Sequence, residues 1–144
     1  MTVRFGNLAG RPPMGLKDRS TPKRFSNAEA RYYRWLHRLP CCLSDRPDID
    51  VAHTGGLAEG KGTGRKAALW TCLPLARPLH LAEEAGRERF WAGVGIDRLP
   101  WAARIYDIYE AGGDMGDALA LVRDMQDSAD RDFLVTILRK HIPR

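Results

Sequence analysis

The chain is poor in cysteine, with only Cys41, Cys42 and Cys72, an odd number of which two are neighbours. That argues against a disulfide framework and for a reducing compartment, so a cytoplasmic location is expected. It also lacks any apolar run of about 18 residues, so no membrane span is expected. The opening stretch MTVRFGNLAGRPPMG has no continuous apolar segment, which speaks against a secretory signal. Aromatic residues are 8% of the 144 positions. With a 44% apolar share and four tryptophans, the chain can still build a modest core. One domain, or one domain with appendages, is the expectation.

What is present is unevenly distributed. Residues 1–38 carry nine basic and two acidic side chains, net +7, whereas the remaining 106 carry 14 basic and 16 acidic, net −2. Positive charge concentrated at one end marks an arm that meets a polyanion, or equally a solvated tail. Residues 1–25 are rich in Gly, Pro, Ser, Thr and basic types with few apolar anchors, and read as a basic, disordered arm. A helix then opens at Ser26, where Ser26-Asn27-Ala28-Glu29 forms a capping box. Tyr32, Trp35, Leu36 and Leu39 fall at helical spacing, with Arg31, Arg34 and Arg38 between them. Those arginines suit phosphate contact, or simply a solvated face. Pro40 ends the helix.

The segment from Asp50 to Trp91 organises the rest. A strand over Ile49–His53 ends in a histidine. A loop with glycines at 55, 56, 60, 62 and 64 follows, too many for regular structure. Gly55 to Lys61 matches most of a phosphate-binding P-loop. Gly62 stands where Ser or Thr is needed, however, and Thr63-Gly64 does not begin a helix. A surface loop is the better reading, with Lys61, Arg65 and Lys66 placed to contact a nucleic-acid backbone. A second apolar run over Leu69–Leu73 predicts another strand. A helix from near Pro78 to about Gly93 is expected next, since proline suits a first helical position. His80 and Glu84 are four residues apart and share a face of that helix. That spacing can ligate a divalent cation and is also an ordinary helix surface.

The final third reads as helices only. Pro100 opens one that ends at Gly112-Gly113, a second begins at Asp114 or Gly116, and a third runs from Ser128 to His141. These carry no cluster of catalytic residue types and read as a packing module, with a homo-oligomer contact through them as one option. The expected class is α+β: a small ββα core with a leading helix over 26–97, and C-terminal helices over 98–144.

Strand with His, loop, strand, and helix with His is the order of the ββα-metal arrangement of HNH nucleases. From Arg31 to Asp97 the chain resembles a family of small phage and prophage HNH-type nucleases, the group that includes the phage recombination enhancement factor. The resemblance rests on Trp35-Leu36-His37-Arg38-Leu39-Pro40-Cys41, on Ala52-His53, and on Gly62-Thr63-Gly64-Arg65-Lys66. It continues through Trp70-Thr71-Cys72-Leu73-Pro74-Leu75, His80, Gly86 to Trp91, and Gly95-Ile96-Asp97. The chain departs from the family pattern at Ser44, where the second knuckle cysteine is expected, at Ala76, at Leu79 and at Glu84. Structural zinc needs about four nitrogen or sulfur ligands. Cys41, Cys42 and Cys72 do not reproduce the family spacing, so structural zinc is not expected.

The resemblance implies a metal-dependent endonuclease acting on DNA phosphodiester bonds. His53 would be the general base. His80 and Glu84 would hold a divalent ion, Mg or Mn, with water completing its shell. The alternative is an inactive HNH-fold module that binds DNA or protein. Convergence of His53, His80 and Glu84 at one point separates the two.

Overall fold

The computed structural model describes residues 26–55 and 68–141. The leading helix α1, Asn27–Leu36, starts as its capping box requires. Ser26 Oγ accepts from Glu29 N at 3.1 Å and Glu29 Oε1 accepts from Ser26 N at 2.8 Å. Its inward face buries Tyr32, Trp35 and Leu36. Tyr32 stacks beside Trp35 and meets Tyr106 edge-on at 5.1 Å. The chain then turns through a buried segment, Cys41-Cys42-Leu43.

Strand β1, Ile49–His53, pairs antiparallel with β2, Cys72–Ala76, so that His53 faces Cys72 and Asp50 faces Leu75. The second strand therefore lies later than the apolar run suggested. Leu69–Thr71 form a 3₁₀ turn instead, closed by bonds from Thr71 N and Thr71 Oγ1 to Ala68 O. Pro74 sits mid-strand, opposite Val51. Its carbonyl is on the strand's outer edge, where it accepts from Cys42 N at 2.9 Å. The missing N–H thus falls on the edge that does not pair with β1.

β2 runs without a linking residue into α2, Arg77–Ala85, with Pro78 in its first turn. The single helix expected to Gly93 is in fact two. Gly86 ends α2 and α3, Arg87–Val94, follows at a new angle. Glu83 on α2 and Arg87 on α3 still meet across the break, as residues four apart do along a helix. Three further helices complete the chain: α4, Arg98–Glu110; α5, Met115–Ser128; and α6, Arg131–His141. α4 begins two residues before Pro100, and α6 begins at Arg131 rather than Ser128. Asp114 caps α5 by accepting from Asp117 N at 3.0 Å. Gly112 and Gly113 take positive φ in the turn between α4 and α5.

The architecture is α+β, helix-rich, with one two-stranded antiparallel sheet among the described residues. The C-terminal helices share the core of the preceding segment: Leu36, Leu75 and Leu79 lie in one cluster with Ile105, Val122 and Met125. Two polar ties reinforce this. Gln126 Nε2 donates to Cys41 O at 2.9 Å and to Ser44 O at 3.0 Å. Trp35 Nε1 donates to Gly113 O at 3.1 Å. No described helix is long and apolar enough to cross a membrane.

Candidate functional site

The junction of β1 with α2 carries the acid–base groups. Side chains alternate along a strand, so Asp50 and His53, three residues apart, project to opposite faces of β1. They are separated by about 10 Å along it at a strand's rise per residue. α2 packs where Asp50 points. His80 Nδ1 lies 2.9 Å from Asp50 Oδ2. A carboxylate only accepts, so Nδ1–H donates to it. Arg77, at the start of α2, donates to the same oxygen at 3.0 Å. Partial burial pushes the Asp50 carboxyl up. The His80 hydrogen bond and the Arg77 charge outweigh it and hold the group below the usual carboxylate range. His80 Nε2, on the far side of the ring, is 3.6 Å from Glu84 Oε2, an ion-pair distance rather than a hydrogen bond.

His53 keeps different company. Its Nε2 lies 2.9 Å from the Tyr33 hydroxyl on α1, and the two rings meet edge-on. Burial pushes the Tyr33 phenol up to about 12, helped by the nearby Cys72 and by a hydrogen bond with Glu29. The Tyr33 hydroxyl and His53 Nε2 share one hydrogen bond, which either ring tautomer can make.

His80 and Glu84 are thus brought together, with Asp50 as a third member. His53 belongs to a separate cluster with Tyr33, so the expected convergence of His53, His80 and Glu84 at one point is not met, and that criterion favours the module that does not cut. Among the described residues no group of three or more His, Cys, Asp or Glu is disposed to hold one metal ion. Lys61, Arg65 and Lys66, expected to contact nucleic acid, lie outside the described residues, as does the basic arm of residues 1–25.

Sequence reasoning missed three participants. Asp50 stands three residues before His53, but nothing local says that a helix 27 residues later in the chain will supply its partner. Nothing in the sequence singles out Arg87 and Arg98, and both are largely internal. Glu83 is fully buried and pairs with Arg87, its Oε2 accepting from Arg87 Nε at 2.6 Å and from Trp91 Nε1 at 3.1 Å. Arg87 then donates to Gly55 O at 3.1 Å, and Arg98 donates to Thr54 O at 2.8 Å and to Glu88 at 3.2 Å. Two guanidiniums so hold the two carbonyls that follow His53, where the chain leaves β1. The wall there is close: a Cβ on Gly55 would lie 2.9 Å from Thr71 Cγ2.

The three cysteines are free and buried. Burial drives the Cys42 thiol well above its usual range and the Cys72 thiol up to about 12. Neither is a thiolate near neutrality.

Compared with protein-family models, with curated proteins and with solved structures, the chain matches none. The functional reading therefore rests on the geometry and the chemistry of these side chains.

Proposed function

We propose that the chain is a metal-dependent endonuclease of the HNH type that cleaves phosphodiester bonds in DNA. One observation carries this: the 2.9 Å approach of Asp50 Oδ2 and His80 Nδ1 between a strand and the helix that follows its partner strand. A carboxylate that accepts Nδ1–H orients the ring and makes the other nitrogen, Nε2, the better metal ligand. His80 Nε2 and Glu84, 3.6 Å apart, would hold a divalent cation, with water filling the rest, as magnesium and manganese accept. The ion would supply positive charge against the phosphoryl oxygens and leaving group.

The chain's own groups take the remaining work. Arg77 has a side chain that is 71% exposed, and its guanidinium suits a phosphate oxygen in place of Asp50. His53 sits at the mouth of the glycine-rich loop. Its imidazole, oriented by the Tyr33 hydroxyl, would accept a proton from the attacking water. Lys61, Arg65 and Lys66, in that loop, would contact the DNA backbone.

A second reading is a ββα module that binds DNA or protein without cutting. It is favoured by the separate partners of His53 and His80. Nicking of supercoiled plasmid in magnesium, manganese or zinc, against EDTA, decides between them. The proposal expects metal-dependent nicking lost in both His53→Ala and Asp50→Asn. Nicking that persists in His53→Ala removes that residue from the base role, and a protein that never nicks but binds duplex is the module.

A further inference from the structure

α1 presents a stripe of arginines that nothing in the described protein neutralises. At 3.6 residues per turn, Arg31 and Arg34 stand about 60° apart on α1, and Arg38 follows in the turn after the helix ends at Leu36, short of the Pro40 end that the sequence suggested. Arg31 and Arg34 lie across the helix from buried Tyr32 and Leu36, and all three arginines are exposed. Three arginines elsewhere have acidic partners, Arg77 with Asp50, Arg87 with Glu83 and Arg98 with Glu88. Among the described residues no carboxylate pairs with Arg31, Arg34 or Arg38. Glu29, the acid on the same helix, is engaged at the cap by Ser26 N and by Tyr33. Like charges three and four residues apart destabilise a helix, so the stripe is a standing cost in the isolated protein.

We propose that this face of α1 is the surface that docks the phosphate backbone of duplex DNA. The inference rests on the reading that DNA is the substrate, and adds where it lies. Charge complementarity identifies the partner, and arginine's planar fork is the group that grips phosphate in pairs of hydrogen bonds. Arg31 and Arg34 are one turn apart on α1, and Arg38 follows in the turn after Leu36, so the three can reach successive phosphates as a short row. The same helix carries Tyr33, which holds His53 at 2.9 Å. A backbone seated on the stripe is therefore within one helix width of the proposed base.

The test is duplex binding by fluorescence anisotropy, with the full chain and a labelled DNA of random sequence. Wild type is compared with Arg31→Gln/Arg34→Gln/Arg38→Gln across about 50 to about 200 mM salt. Losing three phosphate contacts should lower the slope of log K against log salt by about 2.7. Wild type then loses about 40-fold more affinity than the variant over that range. A triple lysine variant should keep most of the slope, and Arg34→Gln alone should remove about 0.9 of it, which covers a triple variant that fails to fold. The control Arg89→Gln/Arg123→Gln/Arg139→Gln removes the same net charge from other exposed positions and should leave the slope in place.

An unchanged slope in a folded α1 variant overturns the inference, as does an equal fall in the control or a wild type that does not bind. Binding with the expected slope but no nicking leaves this surface standing and removes the hydrolysis. Nicking with an unaltered slope in the α1 variant does the reverse.

Discussion

Glu83 and Glu84 are neighbours on α2 and live in opposite worlds. Glu83 is fully buried, bonded to Arg87 and Trp91, and its side chain is part of the scaffold that fixes the exit from β1. Glu84 is 57% exposed and stands loosely beside His80. One step of 100° around a helix separates a carboxylate that the fold depends on from one that chemistry can use. A buried ion pair survives only when every donor and acceptor is matched, and here Arg87, Trp91 and Gly55 O supply the matches. A site that takes a cation or a phosphate needs the reverse: charges that water or a ligand can reach. The end of β1 at Thr54–Gly55 is therefore rigid by construction, and the Asp50–His80 end is open.

The contrast can be broken by substitution. The largest effect is expected for Glu83→Ala, which leaves the Arg87 guanidinium and the Trp91 N–H without their acceptor. A loss of about 3 kcal/mol follows from stranding one partner of a buried pair, measured by urea unfolding. A cost below about 1 kcal/mol would mean that the pair is not a scaffold element. Next is Gly93→Ala on α3. A Cβ there would come within 2.2 Å of Phe133 Cε1, so α6 must shift. We expect about 2 kcal/mol from this overpacking, with the far-UV spectrum retained.

Asp50→Asn sharpens the other side. It removes charge-assisted bonds from His80 and Arg77, for about 1.5 kcal/mol near neutral pH. The sign of the pH effect follows from the direction of the shift. Asp50 is held below the unfolded value, so its contribution is present above that value, near about 4, and is lost as pH falls through the folded one. Wild type should therefore lose this part of its stability in acid and the variant should not. Unfolding curves that fall in parallel between pH values of about 6 and about 3 would contradict it. The smallest effect is expected for Glu84→Gln, within about 0.5 kcal/mol. If metal binding rests on this end, however, Glu84→Gln should weaken manganese binding in a calorimetric titration, and unchanged affinity would remove Glu84 from the site.

Local signals were the legible ones. The Ser26–Glu29 capping box, the strand Ile49–His53 and the glycine pair after α4 are each encoded within a few residues, and each is where its chemistry places it. The expectation of a helix unbroken to Gly93 failed at Gly86. Apolar spacing continues across that glycine, and nothing in the spacing marks that Gly86 leaves helical space, at φ −171° and ψ 81°. The strand expected over Leu69–Leu73 moved to Cys72–Ala76 for a related reason. Pro74 is a poor strand residue by itself and becomes a good one when its empty edge meets Cys42 instead of β1.

By itself the sequence determined the class of elements, their order, the odd and isolated cysteines, and the residue types from which an acid–base site can be made. Those follow from side-chain volume, backbone preference and charge, which act over one or two turns. Only the tertiary structure decided that His80 belongs to Asp50 and His53 to Tyr33, and that one of two adjacent glutamates is buried. Such pairings join residues twenty or more positions apart, and depend on strand parity and on the angle at which a helix leaves its strand.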